Sequence, residues 1–386
     1  MLAKSRDDRA THRYKLAAVL IVGIFAVAGP STVGASTTYT VTDLGSLGAA
    51  NLNSAAFGIN ASGQVVGNSN ISGSAQHAFL YSGGTMNDLG TLNGATSSVA
   101  YDINDSGQVV GYSYTNVTVP SHAYIYSDGT MSDLGTLGGT YSFAFGINDA
   151  GQVVGHADTA GGILQAFLYS GGTMKDIGTL GGPTSTAWGI NATGQVVGTA
   201  DIAQLDQFGD SIDHAFVYSG GIMTDLGTLG GSDSTAYAIN AFGQVVGNAD
   251  IAGSGVAHAF LYSGGEMTDL GTLAGGTMSF AQSINASGQV VGYGLVDGNE
   301  FEHAFLYSGG TMSDLNSLLA PDSNWTLDIA EAINSQGDIV GIGTNPAGKS
   351  HAFLLTPSTV PEPASATILS LGMFAMLGRR RRGFAQ

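Results

Sequence analysis

Residues 59–67 read Ile-Asn-Ala-Ser-Gly-Gln-Val-Val-Gly, and this pattern returns with small variations along the whole chain. Its asparagine falls at Asn60, Asn104, Asn148, Asn191, Asn240, Asn285 and Asn334. The spacing gives a unit of about 45 residues, the length of a four-stranded propeller blade. The pattern therefore predicts a protein built from seven copies of one supersecondary unit.

Two further signatures recur in every unit. His-Ala-Phe-Leu-Tyr or a variant begins at His77, His122, Gln165, His214, His258, His303 and His351, and Asp-Leu-Gly-Thr-Leu or a variant begins at Asp43, Asp88, Asp133, Asp176, Asp225, Asp269 and Asp314. Short apolar runs bounded by Asn, Ser and Gly predict strands joined by tight turns. Each unit therefore reads as four strands: a, ending at Ile-Asn; b, over Gln-Val-Val-Gly; c, over Ala-Phe-Leu-Tyr; and d, over Met-x-Asp-Leu.

The phase of the repeat predicts how the ring closes. The series opens on a d-type strand at Asp43 and ends on a c-type strand at His351, so the last unit lacks its own strand d. If the N-terminal strand supplies it, the blades close without an open sheet edge. An open solenoid would instead need polar capping repeats. We therefore predict an all-β, seven-bladed β-propeller of four-stranded blades over residues 36–356.

Composition and charge agree with this fold and exclude several function classes. The 386 residues include 60 Gly and no Cys, so tight turns are abundant and no disulfide or thiolate site exists. Most basic residues lie in the terminal segments, which leaves Lys175 and Lys349 against 26 acids and a formal charge of −24 between those segments. Such a surface repels phosphate backbones, so we expect no nucleic-acid partner. We expect the acidity to serve solubility, with weak divalent-cation association as the alternative.

The first 35 residues predict a secretory signal peptide. Residues 1–15 are polar and basic, residues 16–29 are almost wholly apolar, and Val33, Gly34 and Ala35 supply the small residues that a signal peptidase reads. We expect cleavage after Ala35. A retained anchor helix is the alternative, but the apolar run has only 14 residues.

The C-terminal segment has three parts in a fixed order. A linker over 357–363 ends in Val360, Pro361, Glu362 and Pro363; an apolar run covers 364–378; and a basic tail over 379–386 starts with Arg379, Arg380, Arg381 and Arg382. This order resembles the PEP-CTERM sorting signal of Gram-negative bacteria. The resemblance implies recognition and cleavage by an exosortase, and an association with exopolysaccharide or biofilm production.

Charge predicts the same topology without the resemblance. Four arginines after the apolar run stay cytoplasmic, which places the propeller outside. The run is shorter than the roughly 20 residues that span a bilayer, so we expect a hydrophobic sorting helix and transient anchoring in the inner membrane. An ordinary tail anchor is the alternative. Membrane contact is expected only through this helix, with the protein finally at the cell surface or in the extracellular matrix.

The three repeat signatures together resemble the HAF family of extracellular repeats, named for His-Ala-Phe, over residues 43–355. The resemblance implies an extracellular repeat protein and carries no activity with it. A functional site must therefore be sought in the residues themselves.

Loop lengths predict which face of the propeller binds a partner. The a–b and c–d turns keep one length, whereas the b–c loop grows to 15 residues between Gly198 and His214 and the d–a connection to 15 between Leu318 and Asn334. The b–c loops and d–a connections share one face of a propeller, here called the variable face; the a–b and c–d turns form the constant face. Because loops on a rigid scaffold often carry function, we predict a binding face at Asp201, Asp206, Asp210, Asp213, Asp297, Glu300 and Glu302.

These acids also suggest a cation. Asp206, Asp210 and Asp213 are a weak candidate set for Ca²⁺, since carboxylate oxygens are its preferred ligands, but they do not follow the order of an EF-hand. We expect a solvated acidic loop, with Ca²⁺ as the alternative and no other cofactor.

The remaining polar and aromatic residues are expected to be structural. The repeated histidines lie in six different blades and cannot converge on one ion, so we expect a hydrogen bond within each blade, with the repeat aspartates as turn or strand partners. His156 stands outside the pattern, and one histidine is not a site. Trp188 and Trp325 are expected to pack in the core, with sugar stacking as the alternative.

The sequence argues against catalysis. We find no singular carboxylate that breaks the repeat at a strand start, and arginine is absent between Ala35 and Gly378. We therefore predict a non-catalytic, exported surface or matrix protein that binds polysaccharide or a protein partner through the variable face. Signal peptidase and an exosortase are the expected processing enzymes. A propeller glycosidase or lyase acting on exopolysaccharide is the alternative.

Overall fold

The computed structural model describes residues 37–359, apart from 49–51, 73–74, 93, 115–119, 207, 254 and 297–300. The predicted signal peptide, the sorting motif with Val360, Pro361, Glu362 and Pro363, the hydrophobic helix, and Arg379, Arg380, Arg381 and Arg382 lie outside the described residues, as do Asp297 and Glu300. Among the residues that are described, no helix has the length and hydrophobicity needed to cross a bilayer.

The described chain forms 28 strands and one 3-10 helix. In chain order the elements are β1 (Thr37–Asp43), β2 (Ser54–Ile59), β3 (Val65–Ser72), β4 (Ala75–Ser82), β5 (Thr85–Gly90), β6 (Ser97–Ile103), β7 (Val109–Tyr114), β8 (His122–Ser127), β9 (Thr130–Asp133), β10 (Gly138–Ile147), β11 (Val153–Thr159), β12 (Leu164–Ser170), β13 (Thr173–Asp176), β14 (Gly181–Ile190), β15 (Val196–Leu205), β16 (Ser211–Ser219), β17 (Ile222–Asp225), β18 (Gly230–Ile239), β19 (Val245–Ile251), β20 (Ala257–Ser263), β21 (Glu266–Asp269), β22 (Ser279–Ile284), β23 (Val290–Val296), β24 (Phe301–Ser308), β25 (Thr311–Asp314), the 3-10 helix Leu315–Leu318, β26 (Thr326–Ile333), β27 (Ile339–Thr344) and β28 (Ser350–Thr359).

These strands form seven antiparallel four-stranded sheets, and the predicted ring closure is confirmed. Six blades use four consecutive strands, from β2–β5 in blade 1 to β22–β25 in blade 6. Blade 7 has the order β26-β27-β28-β1, so the N-terminal strand supplies its missing strand d. The pairing runs without a break from Thr37 opposite Thr359 to Asp43 opposite Phe353. The fold is an all-β, seven-bladed propeller.

The hydrophobic core consists of seven clusters, most of them between adjacent blades. Between blades 1 and 2, for example, Val66 and Ala78 pack against Ala100 and Tyr124, and an equivalent cluster joins blade 7 to blade 1. The glycine that ends Gln-Val-Val-Gly permits strands a and b to approach closely, because a Cβ on Gly67 would lie 1.9 Å from the carbonyl oxygen of Ala55. All sheets and cores are built from residues 37–359, so this region closes as a unit.

A girdle of asparagine side chains joins the inner ends of the blades at the constant face. In each unit the repeat asparagine is buried, and its Nδ2 donates to the backbone carbonyl of the corresponding asparagine in the next blade, beginning with Asn60 to Asn104 at 3.1 Å. The last bond runs from Asn334 to Asn60 at 3.2 Å and completes the circle. The asparagine is therefore both a turn residue and the contact that closes the ring.

The repeated histidines make the structural bonds that the sequence predicts. Five pair within their own blade with the repeat aspartate of strand d, as in His77 Nδ1 to Asp88 at 2.8 Å. The sixth, His351, donates to Asp43 at 2.7 Å and so bonds the last strand to the first. Gln165, which replaces the histidine of blade 3, instead donates to the carbonyl of Pro183 at 2.6 Å.

Strand directions place both ends of the propeller on the same face. Strand c runs toward the constant face and strand d runs away from it. Because β28 is a strand c and β1 a strand d, the chain enters at Thr37 and leaves at Thr359 on the constant face. The predicted cleavage after Ala35 would leave β1 intact.

Candidate ligand site in the central channel

Strand a, the innermost strand of each blade, carries a column of residues that differs strongly between the seven copies. All seven strands read Ala-X-x-Ile-Asn near their ends, with the alanine, isoleucine and asparagine unchanged in every copy. The alanine is completely buried each time. The X position, by contrast, holds Phe57, Tyr101, Phe145, Trp188, Tyr237, Gln282 and Glu331.

A β-bulge points this column into the channel. In blade 1 the pairing of strands a and b skips from Ala56 to Gly58, so Phe57 has no partner across the ladder. The same skip occurs at X in all seven blades. A bulge re-aims the side chain of the extra residue. As a result, the seven X side chains line one cavity of about 210 Å³ in the central channel.

Five aromatic rings form a continuous arc around this cavity. Phe57 stacks on Tyr101 with ring centroids 5.3 Å apart, and Tyr101 meets Phe145 edge to face at 5.1 Å. The arc continues from Phe145 to Trp188 at 4.4 Å and from Trp188 to Tyr237 at 5.7 Å. The cavity wall is therefore apolar over blades 1–5 and offers ring surfaces for stacking.

Gln282 and Glu331 fill the remaining gap in the arc. Burial and, to a lesser extent, the negative charge of Glu302 together raise the pKa of the Glu331 carboxyl to about 7. No hydrogen bond or ion pair within the described chain engages this carboxyl. On a ring of seven blades, blades 3 and 4 are the farthest from blade 7, so Glu331 faces the Phe145–Trp188 pair across the channel.

No cationic side chain neutralises Glu331 within the described part of the chain. Lys175 is exposed on the outer strand β13, and Lys349 lies in the turn between β27 and β28. His156 packs edge to face on Phe145 at 5.3 Å, but burial lowers the pKa of its imidazole to about 4, so it is neutral near pH 7. The channel is thus an aromatic cavity with one free acid.

Trp188 is not a core residue, contrary to the sequence-based expectation. It lines the cavity, and its indole N–H is buried without an acceptor in the described structure. A buried donor without a partner carries a free-energy cost. Trp325, in contrast, packs against the core of blade 7, with its ring 6.5 Å from that of Phe353, as expected.

A second concavity of about 270 Å³ lies on the constant-face side of the aromatic cavity, beside the asparagine girdle. Its acids are already engaged, since Asp105 and Asp149 accept hydrogen bonds from the backbone N–H groups of Ala61 and Asp105 at 2.9 Å. These contacts join neighbouring blades. We therefore interpret this concavity as the structural end of the channel.

The acids of the predicted binding face are only partly brought together. Asp201 and Asp213 lie opposite each other on β15 and β16, and burial together with a hydrogen bond to Asp201 raises the pKa of Asp213 to about 7. Asp206 and Asp210 lie in the tight turn beyond them, where Asp206 accepts from the N–H of Asp210 at 2.8 Å. Glu302 is exposed at the start of β24. Most of the predicted long loop is therefore an extended β-hairpin.

The structure does not assemble the weak Ca²⁺ candidate set. Within the described residues there is no group of three or more His, Asp or Glu side chains arranged to hold a metal ion. Asp206 uses its carboxyl to cap its own turn through Phe208 and Asp210. Ca²⁺ binding by Asp206, Asp210 and Asp213 remains an untested alternative.

Two singular carboxylates were missed in the sequence. Glu331 and Asp102 both interrupt the repeat near the end of strand a, whereas the sequence-based expectation concerned only strand starts. Asp102 is not free: its two oxygens accept from the N–H groups of Ile103 at 2.8 Å and Ile147 at 2.9 Å. Burial raises the pKa of its carboxyl to about 7. Comparing the seven copies column by column would have revealed both residues.

Comparison with known proteins supports the sorting signal and the fold. Residues 359–382 match the PEP-CTERM protein-sorting motif, which indicates an exported, exosortase-sorted protein of Gram-negative bacteria that is transiently membrane-anchored before processing. Residues 230–351 match a family described as a protein of unknown function, DUF3466, over less than a third of the chain. The HAF resemblance remains a prediction. No curated protein matches the sequence.

Two solved structures share the propeller fold. The β-propeller domain of the Trilobed protease from Pyrococcus furiosus, described as having an open velcro topology, is 8% identical, with a TM-score of 0.51 over 81% of this chain and 99% of that one. A puromycin-hydrolyzing peptidase from Mycobacterium tuberculosis is 12% identical, with a TM-score of 0.52 over 85% of this chain and 57% of that one. At such identities the likeness shows the fold alone.

Proposed function

We propose that this chain is an exported, non-catalytic binding protein of the cell surface or extracellular matrix, and that its propeller captures a saccharide unit of an extracellular polysaccharide in the central channel. The observation that carries the proposal is the X column of strand a. The X residue lines the channel in all seven blades and differs between the copies, and the result is an aromatic cavity with two polar groups. Apolar concave sites with a few fixed polar groups are typical ligand sites.

The size of the cavity limits the occupant. At about 210 Å³ it is smaller than the sites that hold drug-sized ligands. One sugar ring, such as the end of a chain or a side branch, therefore suits it better than a polymer threaded through the channel. Aromatic faces supply stacking surfaces, and Gln282 and Glu331 supply polar groups for hydroxyl groups.

The topology supports presentation to the outside. The sorting segment joins the propeller where β28 ends, on the constant face, so the variable face is the end farther from that junction. The acidic hairpin of blade 4 projects from the variable face and offers a surface for a protein partner, which we retain as the second way of binding.

A binding screen tests the proposal. Residues 36–359 would be screened against glycans and isolated exopolysaccharides with and without Ca²⁺, together with Trp188→Leu and with a deletion that shortens the blade 4 hairpin. We expect saturable binding that is lost in Trp188→Leu and retained in the deletion variant. Binding lost only in the deletion variant would move the site to the variable face, and no binding to any glycan would overturn the proposal.

A glycosidase or lyase is the second candidate, favoured by a single observation. The pKa of Glu331 is raised to about 7, the range of a general acid. Glycoside hydrolysis generally needs a second carboxylate, and Asp102 already uses both oxygens for backbone N–H groups. Prolonged incubation with any glycan that binds, followed by analysis for shortened products, decides between the candidates: products formed by the native chain but not by Glu331→Gln would establish the enzyme.

A further inference from the structure

We infer that the channel cavity binds an organic ammonium group, either the protonated amine of an amino sugar or a small quaternary amine. The inference deepens the proposed function by naming the chemistry of the captured group, and it rests on the same cavity.

The first argument is the placement of Glu331. Its carboxylate faces an arc of five aromatic rings and has no hydrogen-bond or ion-pair partner in the described chain. An organic cation is attracted both to aromatic faces and to a carboxylate, so it interacts favourably with both sides of such a cavity. Phe145 and Trp188 lie on the side of the channel opposite Glu331, so a small cation in the middle contacts both.

The second argument excludes the other ligand charges. An anionic group would meet an unpaired acid in a propeller whose formal charge is strongly negative. A neutral hydroxyl group can donate to Glu331 but leaves its negative charge uncompensated, and a buried charge without a counter-ion is costly. Gln282, which occupies the equivalent position in the neighbouring blade, shows that a neutral amide also fits the site. The Glu331 carboxylate in blade 7 is therefore the feature that selects a positively charged ligand.

The third argument is that ligand binding and the protonation of Glu331 are coupled, and this coupling can be measured. Glu331 interacts electrostatically with four titratable groups: Glu302, Tyr101, Tyr237 and Tyr293. Burial raises the pKa of each of these tyrosines above its ordinary value. None of these groups is cationic. A bound ammonium group favours the ionised form of Glu331, so affinity should rise between pH 5.5 and pH 8.5. At pH 7 binding should release a fraction of a proton.

Trp188 can report on the cavity directly. The chain has two tryptophans, and Trp325→Phe in the core of blade 7 leaves Trp188 as the only one. We would titrate residues 36–359 carrying this substitution with tetramethylammonium chloride, using sodium chloride at equal ionic strength as the control. Glucosamine oligomers and their N-acetylated equivalents form the second arm. Tetramethylammonium carries no titrating proton, so its pH dependence reports only on the protein.

Two matched variants define the result. Glu331→Gln reproduces the residue of blade 6 at the same position and should weaken tetramethylammonium binding at least about tenfold and abolish its pH dependence. Glu302→Gln removes a nearby exposed charge and should change affinity less than about threefold. Thermal melting of each variant confirms that it folds, and calorimetry in two buffers measures the released proton.

The arms separate this inference from the proposed function. Preference for glucosamine oligomers over N-acetylated ones points to an amino sugar as the source, and binding of tetramethylammonium without either oligomer points to a small amine. Equal binding of both oligomers with no effect of Glu331→Gln would overturn the ammonium inference and leave saccharide binding intact. Equal losses of tetramethylammonium affinity in Glu331→Gln and Glu302→Gln would also overturn the inference, because the overall negative charge of the propeller, and not the cavity, would then account for binding. No response from any ligand would overturn both proposals.

Discussion

The asparagine girdle predicts that every blade interface contributes equally to stability, including the one between the last blade and the first. Asn148 is 5% exposed. Its Oδ1 accepts from the N–H groups of Ala150 at 3.1 Å and Gln152 at 3.0 Å, and its Nδ2 donates to Asn191 O at 3.1 Å. Its Nδ2 also donates to Gln152 Oε1 at 2.8 Å, so replacing Asn148 by alanine removes three bonds within the turn and one bond between blades.

The cost can be worked from these contacts. The carbonyl of Asn191 keeps a second bond from the N–H of Gly194 at 3.0 Å, so losing the bond between blades costs about 1 kcal/mol, the usual net value. The two turn N–H groups lie at the surface, where water replaces part of each bond, so their loss costs about 0.5–1 kcal/mol each. The Gln152 side chain can bond to water instead of Asn148, so the loss of that bond adds little. We therefore expect Asn148→Ala to lower the free energy of unfolding by about 2–3 kcal/mol.

Asn334→Ala provides the test of closure. Asn334 bonds to Gln336 N at 3.0 Å, Asp338 N at 2.9 Å and Asn60 O at 3.2 Å, the last of which joins blade 7 to blade 1. Its Nδ2 also donates to the Asp338 carboxylate at 3.1 Å, where Asn148 donates to an amide oxygen. The loss of Asn334 should therefore cost about as much as the loss of Asn148, within about 1 kcal/mol, because a bond to a carboxylate replaces a bond to an amide. Asn87→Ala is the control, because the side chain of Asn87 is exposed and its bonds are 3.4 Å long.

The assay is urea unfolding of residues 36–359, followed by circular dichroism, with the slope of the transition checked for constancy. A full cost for Asn148→Ala with no measurable cost for Asn334→Ala would refute the closed ring. A cost below about 0.5 kcal/mol for both variants, similar to the control, would refute the reasoning about the girdle.

Three further predictions concern other parts of the propeller. His351→Ala should lower the free energy of unfolding by about 2 kcal/mol, because His351 is 3% exposed and bonds the last strand to the first. His77→Ala, whose ion pair is more exposed, should lower it by under about 1 kcal/mol. Equal decreases in the urea midpoints of the two variants would contradict this. Glu331 has a folded-state pKa of about 7 against an ordinary 4.5, so its contribution to stability is complete below pH 4.5 and is lost as the pH rises through 7. Glu331→Gln should therefore raise the melting temperature at pH 8.5 and not at pH 4.5, and an equal shift at both values would sink the assignment. Millimolar Ca²⁺ should shift the melting temperature by less than about 1 °C; a larger shift that disappears in Asp206→Asn would establish the alternative cation site.

The fold could be predicted because repetition exposes it. Seven copies of three signatures fix the number of blades and strands, and the offset between Asp43 and His351 fixes the closure. The histidine bonds were also predictable in kind, since residues at one repeat position must lie in different blades. The partner of His351, however, is 308 residues away along the sequence, and that pairing followed only from the predicted closure.

The channel site could not be predicted in the same way, because it depends on a bulge. In a regular strand, Phe57 would alternate with Ala56 and point to the opposite face of the blade. The skip in pairing between Ala56 and Gly58 removes Phe57 from the ladder and turns it toward the axis. Sequence periodicity does not show a one-residue bulge, so the sequence does not place Trp188 and Glu331 in the channel. The arrangement of the blade 4 acids was also not predictable, because the length of the segment between two sequence signatures does not show that most of it is strand.

The bulge also explains how a repeat protein can hold one asymmetric site. On strand a, the alanine before X packs in the core, and the isoleucine and asparagine after it contact neighbouring blades, so a change at any of these affects an interface. The X side chain pairs with no strand and enters no core cluster, so each copy can differ at little cost to folding. Symmetric units would otherwise give a uniform channel. Five aromatic residues, one amide and one acid at X turn the seven-fold scaffold into a cavity with a single charged side, which is the minimum needed to orient a ligand.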